Sequence, residues 1–301
     1  MLARTVISNE KYESTGETKT VFGITLHRIR AKVAIGNIAA GTLGGWIEGE
    51  KNLDVSGNAW VAENAQVSGN AWISGNAYVS GNAQVSGNAR VSHNAQVSGN
   101  AQVFGDAHVY DDALVSGNAQ VSGNAQVSGN AWIFGNVWIS NNAHVFGRAR
   151  VFGNAQVTNN ARVFGDARVS GNAQVYGDAM VSGGALVCGN ALVCGNAHIF
   201  GTAQVSGDAW ISGNALVYSD ACHIVVGPIG PENGYLTAFV ERDSNIRVTH
   251  GCFDGTIDEF AAAMDETHGD GSHGVVYRLA IEMIRARQQK ISMALRKAKF
   301  R

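Results

Sequence analysis

Four residues between positions 222 and 252 are of the kinds that hold zinc or attack carbonyls: Cys222, His223, His250 and Cys252. His250 and Cys252 are two apart in a stretch of strand character, so both point to one side of a strand. With Cys222 and His223 on a neighbouring strand, the set has the composition of a zinc site. Consecutive strand residues face oppositely, however, so Cys222 and His223 do not converge and no metal is expected. The other available chemistry is nucleophilic, a Cys252 thiolate generated by His250, His268 or His273. Against it stands the usual fate of a cysteine between strand and turn, burial as a small apolar residue, which is the expectation for Cys252. His108, His144 and His198 share one register of the repeat described below, two and three coils apart. At ~4.8 Å per strand spacing they are roughly 10 and 14 Å apart, too far to share an ion. The balance is against an enzyme, and neither a catalytic residue nor a cofactor is assigned. Binding remains. His250 and Cys252, the Gly-rich loop with His268, Ser272 and His273, and Arg285 and Arg287 of a basic segment are the candidates to hold a small anionic ligand.

These residues lie beyond an unusually regular stretch. From Val55 to Val217 every sixth residue is Val or Ile, and Ala stands two before each from Ala59 to Ala221 except at Val137. The unit reads as in Val67-Ser68-Gly69-Asn70-Ala71-Trp72. Residues two apart on a strand share a face, so Ala and Val point inward and their neighbours outward. Gly-Asn then bends the chain. A strict short period of this kind means a solenoid, in which three units close a triangular coil of eighteen residues. The core is one methyl wide at Ala and branched at Val, so it is dry and filled.

The pattern of Leu, Ile or Val, two variable positions and a small residue resembles hexapeptide-repeat proteins, which implies a left-handed parallel β-helix of about nine coils. Residues 40–48, Ala-Gly-Thr-Leu-Gly-Gly-Trp-Ile-Glu, followed by hexads, resemble phage, prophage and bacterial hexapeptide proteins. So does Gly251-Cys252-Phe253-Asp254-Gly255-Thr256. Hexapeptide acyltransferases are related in pattern, which implies acyl-CoA bound between subunits of a trimer and a His on an excursion loop. Here the hexads run without an excursion. The related carbonic anhydrases need close His ligands across a trimer interface, and no such cluster is evident.

Three parts follow: an N-terminal cap over 1–54, the β-helix over 55–221, and a small α+β domain over 222–301. Phe22, Ile24 and Leu26 alternate as in a strand. A solenoid exposes an unpaired strand and core at its end, so a cap is required. In the last part, residues 222–226, 235–241 and 246–250 read as strands. Thr256 and Glu259 form a capping box that opens a helix, and a long helix follows the loop. That helix carries Tyr277, Ile281, Ile284, Gln288, Ile291 and Leu295 at heptad spacing, either one face packed on its own domain or an oligomerising coil. After Glu282, Arg285, Arg287, Lys290, Arg296, Lys297, Lys299 and Arg301 follow without an acid, a run that is commonly a solvated face but would also suit an anion.

Residues eighteen apart stack, so the prism faces can be read separately. One carries Gln66, Gln84, Gln102, Gln120, Gln156 and Gln174, whose amides would bond along the axis. A second carries an aromatic-basic stripe with Trp72, Arg90, Tyr110, Phe146, Phe164, Phe200 and Tyr218, the composition of an interface between chains. The third is mixed, with Trp132, Phe134, Arg150 and Phe152 among its residues.

The 301 residues carry a net charge of −2, 38 Gly, 2 Pro and 4 Cys. The repeats hold too balanced a charge to track nucleic acid. No secretory signal or membrane span is expected, and free thiols fit a reduced cytoplasm. The expected function is non-catalytic binding by a phage-type scaffold that forms a homo-oligomer, a trimer by analogy, and engages a protein or small anion. The alternatives are an acyl-CoA-dependent acyltransferase and a counter-defence protein that sequesters an anionic nucleotide signal.

Overall fold

The computed structural model describes residues 7–298, with side chains through residue 287. It forms two compact units, residues 1–160 and 161–301. In each, two-residue strands stack in parallel on the strand eighteen residues further on. In the first unit one column pairs Trp60, Tyr78, Gln96, Leu114, Trp132 and Arg150 in turn. In the second unit another pairs Met180, His198 and Leu216. The chain is therefore a parallel β-solenoid, and the inward Ala and Val or Ile residues from Ala59 to Val217 are buried.

The corners explain the Gly-Asn pair. Gly87 has φ +70°, and a Cβ there would lie 2.9 Å from the backbone nitrogen of Gly105 in the next coil. The adjacent Asn side chains bond up the axis: Asn64 donates to Asn82, Asn82 to Asn100, and Asn100 to Asn118. The amide ladder thus runs along the corner Asn residues. The sequence reading placed one on the Gln face.

The first coil departs from the hexad. Val55 is exposed rather than inward, and Leu53 bridges Ile73 in its place. An antiparallel hairpin, β1 (Tyr12–Val21) and β2 (Ile24–Ala31), covers this end. β3 (Leu43–Ile47) pairs with β2 on one side and with Gln66–Val67 on the other. Phe22 is not a strand residue, as its alternation with Ile24 suggested. It occupies the hairpin turn at φ +49° and is fully exposed. Gly44 and Gly45 permit the closure, since a Cβ at either would lie 2.7 Å from the nearest neighbour, including the ring of Trp60 beside Gly44. Trp60 is fully buried beneath this cap.

In the second unit a four-stranded antiparallel sheet ends the coils: His223–Ile229, Gly234–Val240, Ile246–His250 and Phe253–Thr256. Its inward threonines supply the missing ladder partners. Trp210 N–H donates to Thr237 Oγ1 at 3.0 Å, and Thr249 Oγ1 donates to the Trp210 carbonyl at 2.7 Å. Unpaired groups at the solenoid end are thereby satisfied. The strand Phe253–Thr256 is a fourth beside the three read from the sequence. It ends in the expected capping box, in which Glu259 N–H donates to Thr256 Oγ1 and Thr256 N–H to Glu259 Oε2. The Thr256 N–H and hydroxyl, both donating to Glu259 Oε2, hold the Glu259 carboxyl below its ordinary range. Helices α1 (Ile257–His268) and α2 (Ser272–Ala298) follow.

Candidate functional site

The candidate residues of the last eighty positions separate into two groups. His250 ends its strand and presents its ring to α2. Its Nδ1 lies 3.2 Å from the Tyr235 carbonyl and its Nε2 2.8 Å from the Tyr277 hydroxyl. A carbonyl only accepts, so Nδ1 carries the proton and Nε2 accepts from Tyr277. Phe260 packs edge-on against both rings. The His268 ring stacks on Tyr277 at 5.3 Å, and the His273 ring lies 6.0 Å from that of His268. His250, His268 and His273 are thus brought together around Tyr277, which is buried and whose phenol is pushed up by that burial. Sequence spacing had placed Tyr277 only at the head of an apolar stripe.

The approach is shaped by glycine. A Cβ on Gly230 would collide with the Tyr277 hydroxyl, and one on Gly234 would lie 3.0 Å from the His250 ring. The expected loop is shorter than the sequence suggested: His268 ends α1, Ser272 and His273 lie in the first turn of α2, and Arg278, which donates to the Gly269 carbonyl, Asp265 and Asp270, fixes the link 269–271 between them.

The other candidates lie elsewhere. Cys252 is exposed in the turn after Gly251, which corrects the expectation of a buried cysteine. A two-residue turn leaves no layer of structure above its side chain. Arg285 is bonded to Asp258 at 2.6 Å, and Arg287 donates to the Asp220 carbonyl at 2.7 Å. Both tie α2 down, so neither faces the histidines as an unoccupied anion ligand. Cys222 is buried beside Ser219. His223 is held below the ordinary imidazole range by burial, with its Nδ1 buried and unpartnered. Among the described residues no three His, Cys, Asp or Glu side chains converge as a metal would require.

The interface candidates also divide. Ile281 and Ile284 are buried within their own domain, on the same side of α2 as Tyr277 and Ala280. This removes them as contacts between chains. Ile291, with Gln288, Lys290, Leu295, Arg296, Lys297, Lys299 and Arg301, lies outside the residues whose side chains are described. Trp72 and Phe146 are exposed, whereas Tyr110 is half-buried with its hydroxyl on Gln126. In the second unit Phe164 is half-buried, and the half-buried Phe200 sits between His198 at 4.7 Å and Tyr218 at 6.0 Å. α2 instead exposes Val275, Val276, Leu279 and Met283, a face hidden from the heptad reading because it falls between heptad positions. No described helix is long and apolar enough to cross a membrane.

A model of the YdcK beta solenoid repeat matches residues 83–99, 95–111, 107–123, 119–133, 125–141 and 173–189. No curated protein matches the chain. Taken with the pairing of residues eighteen apart, the repeat matches make this chain a β-solenoid repeat protein.

Proposed function

We propose that the protein is a non-catalytic binding scaffold of phage type, in which the repeats are the support and the C-terminal residues select a small anionic ligand. The observation that carries this reading is the gathering of His250, His268 and His273 around Tyr277 beside a loop fixed by Arg278. Irregular surfaces of this kind discriminate between ligands, whereas successive coils offer nearly equivalent ones. Imidazole N–H groups supply hydrogen-bond donors that an anion can accept from. The exposed Trp72 and Phe146 support assembly into a homo-oligomer, a trimer in our reading, acting in the cytoplasm where its free cysteines stay reduced.

Two measurements on the full chain test this. Light scattering at micromolar concentration should return three chain masses, and a monomer mass refutes the assembly. Acetyl-CoA should leave the melting temperature unchanged. A rise of several degrees, abolished by a histidine substitution, would replace the scaffold reading with that of a transferase.

A further inference from the structure

The repeat is least regular between Ala131 and Phe152, where Trp132, Phe134, Val137, Trp138, Arg148, Arg150 and Phe152 replace the Gln, Ser, Ala and Asn residues common elsewhere. Here the strands lengthen to four residues, Trp132–Gly135 and Arg150–Gly153, and pair in register throughout. The Phe134 and Phe152 rings stack at 5.0 Å with planes 1° apart, and the Arg150 guanidinium lies 5.1 Å over the Trp132 ring. Trp132 and Phe134 are nonetheless 45% and 40% exposed, and Arg148 and Arg150 are exposed beside them. No acidic residue occurs between Asp112 and Asp166 in the sequence.

We infer that this patch of Trp132, Phe134, Arg150 and Phe152 is a docking surface for an acidic polypeptide segment that carries apolar side chains. The choice of partner follows from which parts of the rings are free. Phe134 and Phe152 each cover one face of the other and Arg150 lies over Trp132, so none of these rings keeps both faces open and the ring edges belong to the free surface. Ring edges carry the positive part of the aromatic quadrupole, and with the guanidinium they favour carboxylates. Single-stranded nucleic acid would need open ring faces for base stacking and several cations for its phosphates. The exposed indole and phenyl edges offer apolar area to side chains between the acids. The test of this surface does not depend on the histidine cluster.

The probe is a fluorescein-labelled peptide of alternating Glu and Leu, titrated with the full chain and read by anisotropy. Binding should weaken at least tenfold in Arg150→Glu and in Trp132→Ala. It should persist in Gln84→Glu, which alters another face, and should weaken with salt. Because all three positions face outward, circular dichroism should show an unchanged fold. A folded Arg150→Gln variant serves if charge reversal perturbs it. No binding by the native chain, or equal binding by Arg150→Glu, overturns the inference. Tighter binding of oligo(dT), lost in Arg150→Glu, assigns the patch to nucleic acid and equally overturns it. A fall in oligomer mass in Trp132→Ala would show a second copy to be the occupant.

Discussion

The Tyr277 hydroxyl is hydrogen-bonded to His250 Nε2 at 2.8 Å, joining α2 to the last residue of a strand twenty-seven positions earlier. Tyr277→Phe should therefore lower stability by about 1 kcal/mol, the net value of one such bond, and leave the His250 ring without its donor. Gly230→Ala should cost considerably more, because its methyl would occupy the position of that hydroxyl. Urea melts followed by circular dichroism will rank the two, and equal losses would contradict the packing of Tyr277 under Gly230.

The inward and outward assignment of the repeat is tested at adjacent residues. Val121 is fully buried, and Val121→Asp would place an unpaired carboxylate in a dry core at a cost above about 3 kcal/mol. Val127→Asp should behave alike. Gln120→Glu, on the water-facing side, should change stability by less than about 0.5 kcal/mol. Equal effects in thermal melts would reverse the assignment.

Two corner glycines separate backbone strain from crowding. Gly195 and Gly207 have φ +65° and +67°. A Cβ on Gly195 would lie 2.9 Å from the Gly213 nitrogen, whereas one on Gly207 meets nothing within 4 Å. Gly207→Ala should cost about 1–2 kcal/mol for the left-handed conformation alone. Gly195→Ala should cost more. The difference in denaturation midpoint measures the stacking of one coil on the next.

Acid should destabilise the C-terminal part through His223. Burial holds its pKa below the ordinary 6.5 against the opposing charge of Asp220, with a lesser contribution from Arg287 in the direction of burial. The unfolded chain therefore binds the proton first as pH falls, so this contribution is complete above about 6.5 and is lost through the lower folded value. Melting temperature should drop between pH 7.5 and 5.5, and His223→Leu should flatten part of that slope. An unchanged slope would exclude His223 as its source.

The solenoid was legible because its signal is repeated: each inward Val restates the same geometry, and only the first coil, where Leu53 displaces Val55, breaks the count. The C-terminal site was only partly legible. His250, His268 and His273 were visible as residue types, but Tyr277, which gathers them, has the spacing of an ordinary core residue. Its role depends on a helix crossing a sheet, a long-range contact with no local signature. The arginines misled for the same reason, since Asp258 and Asp220, whose carboxylate and carbonyl hold Arg285 and Arg287, are distant in sequence. Cys252 was misplaced because a turn one residue longer or shorter reverses burial.

The most direct measurement of the binding role is native mass spectrometry of the full chain beside a His268→Ala/His273→Ala variant, both purified identically and confirmed folded by circular dichroism. The account predicts a small-molecule mass adduct on the native chain that the double variant loses. An adduct retained by the folded double variant, or a native chain that carries none, would contradict it.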